Sequence, residues 1–234
     1  MIITHTSKVR SIRWHTDDIF EVAIDRLDLP FTPGMAISVL GPDGKTVRSF
    51  SLSSGTQEPE FRSLIKLVPG GKVSPWIAEH KNGEEIQFRG PFGMFKPGQH
   101  KTPDPWIYIC TGTGVTPLLS AFHSRIEHPP AQVLYGVKRI EDAVYHRELA
   151  EWCDVRMAIS RDPRTEFHHG RVTDFLDEMP RTPETYYYLC GLDAMMYDVI
   201  DWLHDHGVDK EHIKTEVFFK APRKKPGEAE AEMA

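Results

Sequence analysis

Trp106-Ile107-Tyr108-Ile109-Cys110-Thr111-Gly112-Thr113-Gly114-Val115-Thr116-Pro117 is the stretch that decides the fold. Trp106–Cys110 is an apolar run of strand length, far short of a membrane span. It meets glycines at 112 and 114, and Pro117 suits the first turn of a helix, where its missing N–H costs nothing. A strand that turns on glycines into a helix opens a βα unit. Glycine lets the backbone approach a ligand, and a helix N-terminus offers free N–H groups to an anion. Taken alone, the turn also reads as an ordinary Gly-rich connection, since it is not a GxGxxG fingerprint.

Downstream the same rhythm continues. Gln132–Val137, Val155–Ser160, Tyr186–Cys190 and Ile213–Phe219 read as strands. Pro117–Ile126, Glu141–Trp152, Val172–Met179 and Ala194–His206 read as helices between them, the last capped by Gly207. Such alternation implies an open parallel sheet built from βαβ units. Upstream the pattern changes. Ile12–Trp14, Ile19–Ile24, Met35–Leu40, Val47–Leu52, Leu64–Val68 and Ile86–Phe88 read as short strands of a small antiparallel barrel or sandwich. Pro33-Gly34, Gly41-Pro42-Asp43-Gly44, Pro69-Gly70-Gly71 and Asn82-Gly83 mark the turns between them. Ser74–Glu79 interrupts the run as a helix start, with Ser74 as N-cap and Pro75 in the first position. Gly90–Pro105, rich in Gly and Pro, reads as a linker. The expected division is a β-domain over 1–98, an α/β domain over 99–219, and a charged tail at 220–234 that is expected to be disordered.

Composition narrows the function. The 234 residues are 40% hydrophobic and 26% charged, an ordinary globular balance, and the net charge of −6 argues against a surface that coats nucleic acid. No apolar run is long enough to span a membrane, and the N-terminal MIITHTSKVR lacks the apolar core of a signal peptide. Three cysteines, 110, 153 and 190, do not make a disulfide framework, which fits a reducing cytoplasm. They also cannot supply the ligands of an ordinary iron–sulfur cluster. Neither His168-His169 nor His204 with His206 has the helical spacing of a metal pair, and no metal site is expected.

Five segments carry polar groups suited to chemistry. Arg48-Ser49-Phe50-Ser51 joins a fixed cation, an aromatic face and hydroxyls, or is a Ser-rich strand end. Gly70-Gly71-Lys72-Val73-Ser74 leaves room for a diphosphate, or simply caps a helix. The Thr111–Pro117 turn is the third. Cys190-Gly191-Leu192 again ends a strand and enters a helix. Glu216 in Thr215–Phe219 is either a buried carboxylate next to an aromatic or one exposed Glu on an edge strand.

In order and spacing, RxFSxxS, GGKVS, GPFG, GTGVTP, CGxxxM and EVFF resemble the ferredoxin–NADP reductase superfamily from about Pro33 to Phe219, most closely its single-chain bacterial members. The resemblance implies an N-terminal antiparallel β-barrel that binds FAD, followed by an open parallel α/β sheet that binds NADP. By similarity, Arg48 holds the FAD diphosphate, Phe50 stacks on the isoalloxazine where many members carry Tyr, and Ser51 bonds near the hydride-accepting nitrogen. Gly71, Val73 and Ser74 line the diphosphate, and Phe218 covers the flavin. Gly112, Thr113, Gly114 and Gly191 receive the dinucleotide, Cys190 lies near the nicotinamide, and Glu216 supplies a proton or positions the ring. Ser51, Cys190 and Glu216 are thus the expected catalytic residues. Ser160, Arg161 and Arg171 suit a ribose 2′-phosphate, or the arginines are simply a surface pair; the first reading predicts NADPH over NADH by at least tenfold, about 1.4 kcal/mol.

The implied reaction moves a hydride between NADP(H) and FAD, with single-electron exchange to a ferredoxin or flavodoxin. The basic run Arg223-Lys224-Lys225 either steers such an acidic partner or is a solvated tail. The alternatives are a reductase component of an oxygenase, a ferric or free-flavin reductase, and, from another class, a non-catalytic nucleotide-binding regulatory subunit.

Overall fold

The computed structural model describes residues 3–100 and 104–219. The expected tail and the Arg223–Lys225 run lie outside the described residues. The N-terminal half is a six-stranded antiparallel sheet in the order β4-β3-β6-β1-β2-β5. Its strands are β1 (Thr4–Trp14), β2 (Ile19–Asp25), β3 (Ala36–Leu40), β4 (Val47–Ser51), β5 (Glu60–Lys66) and β6 (Glu85–Phe92). The edge strands β4 and β5 lie beside one another, which curls the sheet into a barrel. Its interior packs Phe61 edge-on against Phe31 and Phe88, at centroid distances of 5.4 and 5.8 Å.

Several boundaries differ from those expected. β1 is far longer than Ile12–Trp14, because most of its residues face solvent and only pairing with β2 and β6 makes it a strand. β6 runs into the expected linker as far as Phe92, and Phe95 beyond it is buried. Helix α1 is the five-residue Ser74–Ala78, and its N-cap is Val73 rather than Ser74. The Ser74 hydroxyl instead accepts from the Val68 N–H at 3.0 Å, closing the preceding loop.

The second half is a six-stranded parallel sheet in the order β10-β9-β8-β7-β11-β12. The strands are β7 (Trp106–Thr111), β8 (Gln132–Val137), β9 (Val155–Ile159), β10 (His168–His169), β11 (Tyr186–Leu192) and β12 (Ile213–Phe219). Both faces are covered, so alternate residues enter two cores. Trp106, Tyr108 and Cys110 of β7 join the core on one face. Ile107 and Ile109 join the other, against α4 (Asp193–Asp205). Helices α2 (Thr116–His123) and α3 (His146–Trp152) complete the helical layer. Gly207 ends α4 at φ +75°, its N–H bonded to the His204 carbonyl.

Two expected helices take other forms. Val172–Glu178 is a 3-10 helix. The expected Glu141–Trp152 helix is split into a 3-10 turn and α3 by Tyr145, which adopts a left-handed φ of +63°. Such backbone costs a non-glycine residue roughly 1–2 kcal/mol. Interactions of the Tyr145 side chain with the barrel accompany it: its hydroxyl donates to Glu21 at 3.2 Å.

Candidate active site at the seam of barrel and sheet

The sheet order places the switch point at β7, because β8 lies on one side of it and the chain returns on the other side as β11. Ligands of open α/β sheets bind beyond the carboxyl ends of strands at such a point. Two glycine turns meet there. The 3-10 turn Gly112–Val115 follows β7, and Gly191 lies in β11 near its end. Thr111 Oγ1 accepts from the Leu192 N–H at 2.9 Å, and a Cβ on Gly191 would collide with that same hydroxyl. A Cβ on Gly114 would collide with the Cys190 carbonyl. Gly114 is further held by the Tyr108 hydroxyl, which donates to its carbonyl at 2.8 Å. Gly112, at φ +53°, has open space where a Cβ would point. The turns are thus interlocked on one side and open on the other.

Beneath them lies a buried polar cluster. Cys110, Cys190 and Glu216 share one register level across β7, β11 and β12. Cys190 is fully buried, so its thiol packs beside the Tyr108 hydroxyl rather than at the surface. Burial, then the neighbouring Glu216 charge, pushes that thiol well above its ordinary range. Glu216 connects the cluster to the barrel: Ser51 Oγ donates to its Oε1 at 2.8 Å. Its Oε2 is buried with no partner among the described residues. Burial raises the carboxyl to about 7, against the opposing pull of the Ser51 hydrogen bond. A carboxyl in that range can hold or release a proton near neutrality.

On the barrel side, Arg48 is exposed and its guanidinium, among the described residues, donates to the adjacent Val47 carbonyl at 2.9 Å. Phe50, on the same face of β4, is half-buried at the rim of the barrel core. Gly71 N–H bonds the Val68 carbonyl at 2.9 Å, making a tight loop before α1. The Val73 side chain is buried in the barrel, which leaves only its backbone to face a ligand. The Phe218 side chain lies outside the described residues.

A third group sits farther along the sheet edge. Ser160 and Arg161 follow β9, and Arg171 follows β10 on the next strand; all are exposed. Ser160 Oγ turns to the Val137 carbonyl at 3.3 Å. Arg171 N–H donates to Asp174, which also pairs with His168 at 2.7 Å. The sequence reading missed this carboxylate, and it missed Glu21, Tyr145, Ser120 and His123, which join the two halves. A signal for Glu21 existed: it is the one acidic residue inside the apolar run Ile19–Ile24.

The fold and this seam define a two-part oxidoreductase that takes a flavin on the barrel and a dinucleotide on the sheet. Residues 8–96 match the family model of the oxidoreductase FAD-binding domain, and residues 108–201 that of the oxidoreductase NAD-binding domain. Ferredoxin–NADP reductase B of Sorangium cellulosum is 28% identical over 198 residues, covering 76% of this chain and 80% of that one. The glycine betaine monooxygenase reductase subunit of Pseudomonas aeruginosa is 29% identical over 210 residues, 82% of this chain and 57% of that one. The chain therefore spans little more than half of some of its relatives. Among solved structures, a ferredoxin NADP+ reductase from Neisseria gonorrhoeae with bound FAD and NADP matches with a TM-score of 0.82 at 20% identity, covering 92% of this chain and 99% of that one. The ferredoxin reductase in carbazole 1,9a-dioxygenase matches with a TM-score of 0.79 at 26% identity, covering 93% of this chain and 70% of that one. The chain belongs to the ferredoxin–NADP reductase superfamily, whose cofactors are FAD and a pyridine nucleotide. The residues present fit both groups: Glu216 Oε2 is an orphaned buried acceptor, Phe50 is half-open at the rim, and the Gly112 turn faces free space. Among the described residues no helix is long and apolar enough to cross a membrane.

Proposed function

We propose that this chain is an NADPH-dependent flavin reductase that passes electrons singly to a ferredoxin or flavodoxin in the cytoplasm. The barrel, residues 1–98, takes the FAD and residues 99–219 take the NADP. The observation that carries this reading is the Ser51–Glu216 hydrogen bond, which brings the aromatic strand of the barrel to the interlocked glycine turns of the sheet. Bound FAD supplies an acceptor for the nicotinamide hydride and a store from which electrons leave one at a time.

The chain's own residues do the rest. The Arg48 guanidinium and the backbone N–H groups of Val73 and Ser74 hold the flavin diphosphate, the tight Gly71 turn gives the chain room to approach it, and the Ser74 hydroxyl keeps its proton free to donate. Phe50 supports the ring. Glu216 holds or releases a proton at the seam, its carboxyl being poised near neutrality, and Ser51 orients that carboxyl by donating to Oε1. Gly112, Thr113, Gly114 and Gly191 admit the dinucleotide backbone, and Cys190, buried under the turn, fixes the depth of the nicotinamide pocket. Ser160, Arg161 and Arg171 select the 2′-phosphate.

A reductase component of an oxygenase is the second reading. It is favoured by the relatives whose names place them in oxygenase systems, among them the glycine betaine monooxygenase subunit and the naphthalene 1,2-dioxygenase reductase component. The test is the visible spectrum of the purified protein before and after anaerobic NADPH, repeated with NADH. It is followed by turnover with ferredoxin, flavodoxin, ferric chelate and free flavin. A yellow protein bleached preferentially by NADPH and reoxidised by a one-electron protein supports the proposal. A protein that stays colourless in excess FAD defeats it.

A further inference from the structure

The strand that carries Phe50 and Ser51 does not run out into a free loop. From Ser51 to Thr56 its continuation is tied to the α/β half. Ser51 reaches Glu216. The Ser53 carbonyl lies 2.7 Å from His123 Nδ1, which makes that nitrogen the donor. The Ser54 carbonyl accepts from Ser120 Oγ at 2.8 Å. The Thr56 N–H donates to Ser124 Oγ at 3.0 Å. Ser53, Ser54 and Ser120 are fully buried, so the Ser120–Ser54 bond at the centre of the clamp is shielded from competing water.

Between the last two bonds stands Gly55. A Cβ there would sit 2.6 Å from the His123 carbonyl oxygen and 2.8 Å from its carbon. Its backbone is not left-handed, so glycine serves close approach at this position and not a turn. The obstacle is backbone at the end of α2, which cannot swing aside as a side chain can.

His123 and Ser120 belong to α2, and Ser124 follows it directly. The same helix grows out of the glycine turn after β7, where Thr116 Oγ1 donates to the Thr113 carbonyl at 2.6 Å. One short helix therefore has the dinucleotide turn at one end and the continuation of the flavin strand along its side. We infer that residues 53–56, clamped on α2 with Gly55 as the contact point, are a positioning device for hydride transfer: they set how far the Phe50–Ser51 strand stands from the Gly112–Gly114 turn. The inference rests on the assignment of FAD to the barrel and of the dinucleotide to that turn.

Gly55→Ala in the full-length holoenzyme tests it. The added methyl must push the strand or α2 by several tenths of an ångström, and a misplacement of about 1 Å costs roughly 10²-fold in rate. The hydride-transfer step, followed by stopped flow, is expected to slow by about 10- to 100-fold. FAD content and KM for NADPH should stay within about twofold, because the groups that grip each nucleotide are untouched. The long-wavelength absorbance produced when nicotinamide stacks on flavin should shrink at saturating NADPH. A merely structural glycine would lower the melting temperature and leave that absorbance and the transfer rate at wild-type values; that result overturns the inference. Should Gly55→Ala not accumulate as a folded protein, Ser120→Ala decides, since it removes the donor to Ser54 and adds no atom. Its expected effect is a smaller loss of both signals, and wild-type values for both overturn the inference. Wild-type protein that binds no FAD, or gives no stacking absorbance with either dinucleotide, refutes the underlying assignment and this inference with it. That outcome is distinguishable from variants that match a fully competent wild type.

Discussion

Glu216→Gln separates the electrostatics of the seam from its packing. Burial lifts the Glu216 carboxyl from 4.5 to about 7, so the folded protein keeps a proton that the unfolded chain has already released. Between those two values stability is therefore lost as pH rises, and above 7 the loss is complete. Its size is about 3 kcal/mol, the free energy of moving a carboxyl between those pKa values. Glutamine is nearly the same shape, still accepts from Ser51, and has no charge to desolvate. With FAD removed, urea unfolding followed by tryptophan fluorescence should give nearly equal stabilities for both proteins near pH 4.5. The variant should then become more stable by about 3 kcal/mol above about pH 8. In the loaded enzyme the same change should remove a pH dependence of turnover centred near neutrality. Parallel stability curves across the whole range would show that Glu216 is solvated in the folded protein, and the proton-exchange role would fall with it.

Other consequences are simpler. Arg161→Ala with Arg171→Ala should erase the preference for NADPH, a loss of at least tenfold in the ratio of kcat/KM values, about 1.4 kcal/mol; an unchanged ratio would exclude both arginines from specificity. Gly114→Ala drives a Cβ into the Cys190 carbonyl and should weaken NADP binding, measured by calorimetry, by at least about tenfold while leaving FAD bound. Tyr108→Phe strips the buried Gly114 carbonyl of its donor and should destabilise the protein by about 1–3 kcal/mol in urea unfolding; no change would mean that water replaces the hydroxyl.

Much of the parallel sheet was legible because its central strands β7, β8 and β11 are buried along nearly their whole length on both faces, and glycines mark the ends of β7 and β11. Tyr186-Tyr187-Tyr188 shows why: the outer two rings pack on the core containing Trp106, and the middle one packs on the opposite core. β1 was not legible, since its residues alternate between solvent and a thin buried stripe and depend on partners on both sides. β10, two residues long, has no pattern to read. Ser74 misled for a physical reason: a serine before proline at a helix start usually caps it, but here the left-handed Gly70 and the tight Gly71 turn bring Val68 N–H to the hydroxyl first. The candidate site was legible as motifs, while the contacts that assemble it were not. Ser51 and Glu216 meet across 165 positions of chain, and no local spacing encodes such a meeting.

The barrel strands β2 and β5 also contribute Ile19 and Leu64 to the core under the α/β sheet, where both are buried. Either half cut out by itself would leave a greasy scar and a torn packing surface. Chimeras that exchange dinucleotide modules between related reductases should therefore carry Ile19, Leu64 and the matching face of the incoming module as a single unit of design.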